Sequence, residues 1–288
     1  MYRIFTDSGS DISLSLAEKI SVTVLPLHSV MTDAKGTSTI DGTKLPVTEF
    51  YELLRNRYSA KTAAVNSDAF AEAFRPVLAA GEDVLYLGLS SGLSTTVNAA
   101  KLAAEDLAEE YPDRKIVVID TLSASLGEGL YVWLAAEKRD AGATLEENEQ
   151  YLLSIRPNLC HWFTVDDLFF LKRGGRVSAA TALIGSALGI KPVMHVDNEG
   201  HLTKVDIARG RKKSVRELFE RMAATVTAPE EQTVFISHGD CLEDAEYLAS
   251  LIRERWAVKD IIIDYVGQVI GTHSGPGTLA LFFLGSER

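Results

Sequence analysis

Short β-rich runs alternate along the chain with longer amphipathic runs, which is the pattern of strands joined by crossover helices. The strand candidates are 2–6, 84–89, 116–120, 233–237 and 260–266. Apolar residues recur at helical spacing over 14–19, 46–58, 68–80, 94–110, 125–141, 145–155, 212–225 and 242–256. The alternation predicts an α/β fold.

The helical pattern breaks at Arg156-Pro157-Asn158. We therefore predict an N-terminal α/β domain, residues 1–157, and a C-terminal α/β domain, residues 158–288. In the second part, two β-rich runs flank Asn198-Glu199-Gly200, which predicts a hairpin. A hairpin next to strands joined by helices indicates a mixed sheet there.

Composition narrows the function classes. The formal net charge of -11 opposes a general nucleic-acid binder, because phosphate backbones require a surplus of Lys and Arg. Cys160 and Cys241 cannot make a disulfide framework, which favours a reducing, cytoplasmic setting. No apolar run is long enough to span a bilayer, so we expect no transmembrane segment and at most transient contact with a membrane surface. We expect neither a metal nor a cofactor.

Two polar segments follow predicted strands, where ligands of open α/β sheets bind. Thr6 to Asp11 is the first, and it makes Asp7 and Ser8 candidates for a loop beside a ligand, with helix capping as the alternative. The second runs into a helix start, whose unpaired N–H groups attract a carboxylate or phosphate. Its candidates are Ser91, Gly92, Ser94 and Thr95. Ordinary capping by Ser94 is an equally good explanation of this segment.

The strand end at Asp120 to Gly129 is rich in small residues, and we assign it to close packing. A positive turn follows an apolar segment further on, at Lys172, Arg173 and Arg176, and Arg209 extends it. On an acidic protein such a turn suits a phosphate-bearing or acidic partner, because Arg binds phosphate oxygens in pairs. A solvated charge run is the alternative.

His273 lies between glycines near the C-terminal end of the printed sequence and could donate a hydrogen bond to a carboxylate. A satisfied structural histidine is the alternative. Ser94 as nucleophile, His273 as base and Asp7 or Asp120 as orienting carboxylate would make a hydrolase or acyltransferase. The Gly-x-Ser-x-Gly elbow of such enzymes is missing around Ser94, which argues against that reading.

Taken in order, these motifs resemble the DegV family of bacterial fatty-acid-binding proteins over the whole chain. The matching segments are Thr6 to Asp11, Ser90 to Thr95, Asp167 to Ser178, Ile190-Lys191-Pro192, His238-Gly239-Asp240 and Gly271 to Gly277. The resemblance implies a two-domain α/β fold with a lipid tunnel between the domains. It also implies a long-chain fatty acid of the palmitate or oleate class, with its carboxylate held by Thr62 and Ser94.

Members similar to the B subunit of bacterial fatty acid kinase present the acid to a separate kinase subunit, which implies a carrier rather than an enzyme. Two departures affect the head-group site. Residues 62–67 read Thr-Ala-Ala-Val-Asn-Ser where many members read Thr-Ser-Gln-Pro-Ser. Ser94-Thr95-Thr96 replaces the usual Ser-Gly-Thr.

Overall fold

The computed structural model describes residues 1–184 and 189–288. Its strands are β1 Tyr2–Asp7, β2 Val22–Leu25, β3 His28–Thr32, β4 Thr39–Asp41, β5 Ser59–Ala63, β6 Asp83–Gly88, β7 Ile116–Asp120, β8 Leu159–Thr164, β9 Ile190–Val196, β10 Leu202–Arg209, β11 Thr233–His238, β12 Asp260–Tyr265 and β13 Leu279–Leu284. Its helices are α1 Leu14–Lys19, α2 Val47–Arg55, α3 Ser67–Ala79, α4 Thr96–Glu110, α5 Leu126–Asp140, α6 Leu145–Ile155, α7 Leu168–Arg173, α8 Ala179–Ile184, α9 Arg211–Thr225, α10 Leu242–Arg255 and α11 Gln268–Ser274.

The first sheet is parallel, with strand order β2-β1-β6-β7. Strand β6 is buried at every position after Asp83 because helices cover both faces of a parallel sheet. The carboxyl ends of β1, β6 and β7 lie at one edge, at Asp7, Gly88 and Asp120. The loops that follow these three strands therefore meet at that edge.

The second sheet is mixed, with strand order β10-β9-β8-β13-β11-β12. The predicted hairpin is confirmed as the antiparallel pair β9 and β10. Strand β8 is buried throughout and its two faces serve different cores. Cys160 and Trp162 pack toward α9 and α10, whereas Phe163 packs into the core shared with α5. The second sheet therefore presents one face to the first half of the chain.

A third, antiparallel sheet has the order β4-β3-β5, and the strand search on the sequence missed it. Helix α11 contacts β3, β5 and α2, so this helix from the last part of the chain packs against the first part. Thr62 lies opposite Ser29 in this sheet. The α/β class, the parallel first sheet and the mixed second sheet are confirmed. The division between residues 157 and 158 stays a prediction.

Candidate functional site

A cavity of about 520 Å³ lies among loops of the first sheet, strand β5, helices α7 and α11, and the inner face of the second sheet. Most of its wall is apolar, with Leu27, Leu89, Phe163, Leu171 and Ile270 among the lining side chains. The volume is within the range of about 300–1,000 Å³ common for sites that enclose small ligands. The cavity combines this wall with a few polar groups.

Thr62 and His273 meet in the cavity lining, where Thr62 Oγ1 lies 2.8 Å from His273 Nε2. Burial and the positive charge of Arg176 lower the pKa of His273 to about 4, so the ring is neutral at pH 7. Within the described chain, Nδ1 of this ring is buried without a hydrogen-bond partner. A neutral ring keeps its single N–H where a partner exists, so Nε2 donates to the Thr62 hydroxyl.

Arg176 lines the same cavity and does not extend from the surface beside Lys172 and Arg173. Its guanidinium donates to the Leu93 carbonyl through Nη2 at 2.8 Å and Nε at 3.2 Å, and also to the Gly174 carbonyl. These bonds use three of its five N–H groups, which leaves donors available. We expected Arg176 in a surface turn that contacts a partner, whereas its side chain lies in the cavity lining.

The start of helix α4 contributes the hydroxyl-rich segment. Ser91, Gly92, Ser94 and Thr95, which the sequence made candidates for a loop beside a ligand, all line the cavity. Ser94 Oγ lies 2.9 Å from Thr96 Oγ1 and accepts from the Thr96 N–H at 3.3 Å. Ser94 thus bonds the first residue of α4 and also lines the cavity.

Asp7 and Ser8 support the cavity from behind. The Asp7 carboxylate accepts from Tyr86 Oη at 2.6 Å and from the Leu89 N–H at 3.1 Å, and burial raises its pKa. Ser8 Oγ accepts from the Leu27 N–H at 2.9 Å. Leu27 and Leu89 line the cavity, whereas Asp7 and Ser8 are absent from the lining formed by the described residues. Their role is to position that wall.

The residues of the hydrolase alternative do not assemble in the described part of the chain. Ser94 Oγ bonds Thr96, and His273 Nε2 bonds Thr62. The Asp120 carboxylate accepts from the N–H groups of Ser91 and Leu122. Among the residues that the structure describes, no carboxylate bonds Nδ1 of His273, so they do not form a Ser-His-Asp relay.

The model of the DegV family matches residues 1–286 of the chain. The chain belongs to the DegV family. A DegV domain-containing protein of Clostridium perfringens is 45% identical over 99% of this chain and 98% of its own length. A DegV family protein from Thermus thermophilus, described as binding fatty acid, has a TM-score of 0.86 and 29% identity over 99% of both chains. DegV of Bacillus subtilis, described as a fatty acid binding protein, has a TM-score of 0.83 and 26% identity over 99% of both chains.

The other candidate cations of this DegV protein, Lys172, Arg173 and Arg209, lie outside the cavity lining formed by the described residues. The Lys172 ammonium lies 5.4 Å from the Phe169 ring centroid, and the Arg173 guanidinium lies 4.3 Å from that of Phe170. Arg209 is exposed at the end of β10. Cations stacked on aromatic rings are held in place while keeping their charge toward water. Lys172 and Arg173 thus form a positive surface at the end of α7.

Five polar lining residues were not selected from the sequence: Ser125, His161, Ser237, Ser274 and Thr278. The segment from Asp120 to Gly129 was assigned to packing, and Gly127 does pack closely, since an added Cβ would lie 2.7 Å from the Phe282 ring. Ser125, two residues earlier, faces the cavity. One of these residues, His161, could have been found from the sequence. It is a histidine within an otherwise largely apolar run of a length typical of a buried strand.

The described residues contain no group of three His, Cys, Asp or Glu side chains arranged to hold a metal. Among the helices of the described chain, none combines the length and apolar character needed to cross a membrane. Cys160 and Cys241 are both free thiols.

Proposed function

We propose that this DegV protein binds one long-chain fatty acid, with its carboxylate at Thr62, Ser94, Arg176 and His273 and its tail along the apolar wall. The observation that supports this most is the hydrogen-bonded pair Thr62 and His273, which faces an apolar cavity beside a half-buried arginine. A buried carboxylate must be hydrogen-bonded or paired, and these groups meet that need.

The head-group contacts follow from the direction of the hydrogen bonds. Because neutral His273 donates to Thr62 Oγ1, the Thr62 hydroxyl proton is free to point at a carboxylate oxygen. The Ser94 hydroxyl can do the same from the start of α4, where the helix dipole favours an anion. Arg176 adds a full positive charge, so the carboxylate is held by hydroxyls and a cation together.

The tail supplies most of the binding energy. Burying an acyl chain contributes roughly 0.8 kcal/mol per methylene, on the order of ten kcal/mol for palmitate before entropy and desolvation are subtracted. The acyl chain finds an apolar surface at the wall that is formed by Leu27, Leu89, Phe163 and Leu171, and water offers it none. A carrier needs this affinity and no activated nucleophile.

The second part of the proposal is transfer. The bound acid is presented to a separate fatty acid kinase subunit, which makes the acyl phosphate, and the cytoplasm is the expected location. Lys172 and Arg173 are proposed to contact that subunit, because they keep an exposed positive charge on an acidic protein. Phe169 beside them is 37% exposed, and aromatic residues and Arg are enriched at protein interfaces.

Extraction of the purified protein with organic solvent, followed by mass spectrometry, tests the ligand. We expect one acyl chain per protein, or uptake of palmitate or oleate after incubation. Absence of any acyl chain after incubation with both acids would refute the binding proposal.

Charge reversal tests the transfer proposal separately. Arg173→Glu is expected to lower acyl-phosphate formation with a candidate kinase subunit and ATP while bound lipid stays unchanged. Arg176→Glu is expected to lower lipid content itself. Lys101→Glu, at an exposed position on α4, is the matched control and should change neither quantity. Loss of lipid in Arg173→Glu would place that residue in the head-group site instead.

A further inference from the structure

Polar side chains also line the part of the cavity formed by the second sheet and the start of α5. Ser125, His161, Ser237 and Ser274 all face the cavity, and their exposed fractions are 3%, 5%, 0% and 5%. An unsubstituted alkyl chain offers these groups no hydrogen bond. Buried polar groups are normally satisfied, so this lining indicates a ligand with a polar group away from its carboxylate.

Among the described residues, two members of this group have a buried atom without a hydrogen-bond partner, Ser274 at Oγ and His161 at Nδ1. His161 is the one of the two that can titrate. Burial lowers its pKa far below the ordinary value, so the ring is neutral. Nδ1 is buried without a hydrogen bond in the described chain, and it faces Gly127, where an added Cβ would lie only 3.2 Å away. The Phe282 ring packs edge-on at 4.6 Å between centroids. Gly127 and Phe282 thus block two sides of the ring. The polar atom that remains to face the cavity is Nε2.

Ser125 and Ser237 are arranged differently, because they bond each other. Ser125 Oγ lies 2.9 Å from Ser237 Oγ and 2.5 Å from Oδ2 of Asp11. Because Ser125 donates its proton to Asp11, Ser237 donates to Ser125 in the bond between the two serines, which leaves a lone pair of Ser237 Oγ for the cavity. Ser125 has a φ of 55°, a strained backbone for a residue with a side chain. This arrangement keeps a hydroxyl where a glycine would fit the backbone better.

We propose that the cavity recognises fatty acids that carry a hydroxyl group along the tail, with Nε2 of His161 as the partner of that hydroxyl. The inference rests on the proposed function and specifies its substrate class. A hydroxyl both donates and accepts, so it satisfies a neutral imidazole in either tautomer, whereas a keto oxygen only accepts. The alkyl parts of such a chain still contact Phe163, Leu171 and Ile270.

Competitive displacement by stearate and by a positional series of monohydroxystearates tests the inference in the full chain. At one hydroxyl position we expect an affinity about ten-fold higher than that of stearate, the effect of pairing one otherwise unsatisfied buried group. His161→Leu should abolish this preference and His161→Gln should retain part of it. His195→Leu is the control, because His195 pairs with Trp162 on the opposite face of the sheet.

Three results are distinguishable. Tighter binding of one hydroxystearate that disappears in His161→Leu supports the inference. The inference is overturned, with the proposed function intact, if stearate binds at least as tightly as every hydroxystearate. A preference for one hydroxystearate that survives in His161→Leu overturns it as well. Failure of stearate and all hydroxystearates to bind overturns the proposed function itself. If His161→Leu does not fold, the wild-type series with His161→Gln still decides the question.

Discussion

Replacing Gly174 with alanine should disturb the proposed head-group site without replacing any residue proposed to hold the carboxylate. Gly174 ends α7 with φ of -75°, a conformation that alanine adopts freely, so the backbone is not strained by the change. The added Cβ would nevertheless come closer than 3.0 Å to Nδ1 of His273. On the far side of the ring, Nε2 is already 2.8 Å from Thr62 Oγ1. The ring is held between these two contacts.

The size of the effect follows from that geometry. To relieve the clash, the His273 ring has to move by roughly 1 Å. Because Thr62 blocks movement directly away from Gly174, the ring has to swing sideways. Such a swing breaks the hydrogen bond from His273 to Thr62, because that bond tolerates little lengthening. Losing an oriented donor to a buried charged group costs about 1.5–3 kcal/mol, or about ten-fold to more than a hundred-fold in affinity.

Displacement titration of a fluorescent fatty acid measures this loss, and thermal melts measure stability in the same preparations. Gly142→Ala is the matched control, because Gly142 has φ of +92° in the turn after α5, with nothing near its added Cβ. That control should lose about 1 kcal/mol of stability and keep its affinity. Unchanged affinity in Gly174→Ala would show that the orientation of His273 does not matter for binding.

Three further predictions address the same region. Replacing Thr62 and Ser94 together by Ala should weaken fatty-acid binding by a few kcal/mol with folding intact, and unchanged affinity in the titration would place the carboxylate elsewhere. The pKa of His273 is lowered to about 4 in the folded state, so the unfolded chain takes up a proton first as pH falls below about 6.5. The free energy of unfolding of wild type should therefore fall by about 3 kcal/mol relative to that of His273→Gln between pH 6.5 and pH 4. Denaturation curves that give the same difference between the two proteins at both pH values would contradict this. Gly127→Ala should destabilise the fold by about 1–3 kcal/mol, because its Cβ would meet the Phe282 ring, and calorimetry would disprove this if the melting temperature were unchanged.

Most of the parallel strands and the long helices were predictable, because each is a single run with one clear period. Strand β1 and helix α6 show this well, with predicted bounds within a residue of those observed. The short parallel strand β2 was missed. The third sheet was not predictable from such runs. Strand β5 reads Ser-Ala-Lys-Thr-Ala and alternates between exposed and half-buried positions. Its formation depends on pairing with β3, which lies far away in the chain.

The site was predictable in part. The hydroxyls before α4 follow from a strand end and a helix start, whereas Thr62 came only from the family resemblance, since nothing around it signals a ligand. Arg176 could not be separated from Lys172 and Arg173 by sequence, because a cluster of cations does not show which one points inward. Its direction depends on the Leu93 carbonyl, contributed by a loop 83 residues earlier.

Strand β13 has a consequence for how the molecule is made. It occupies the middle of the second sheet, between β8 and β11, although every other strand precedes it in the chain. During synthesis, β8 and β11 must wait with unpaired inner edges until residues 279–284 have left the ribosome. Thr278 and Ala280 also line the cavity. A nascent chain therefore completes this cavity only when β13 docks, and a premature stop before that point leaves two exposed strand edges prone to aggregation.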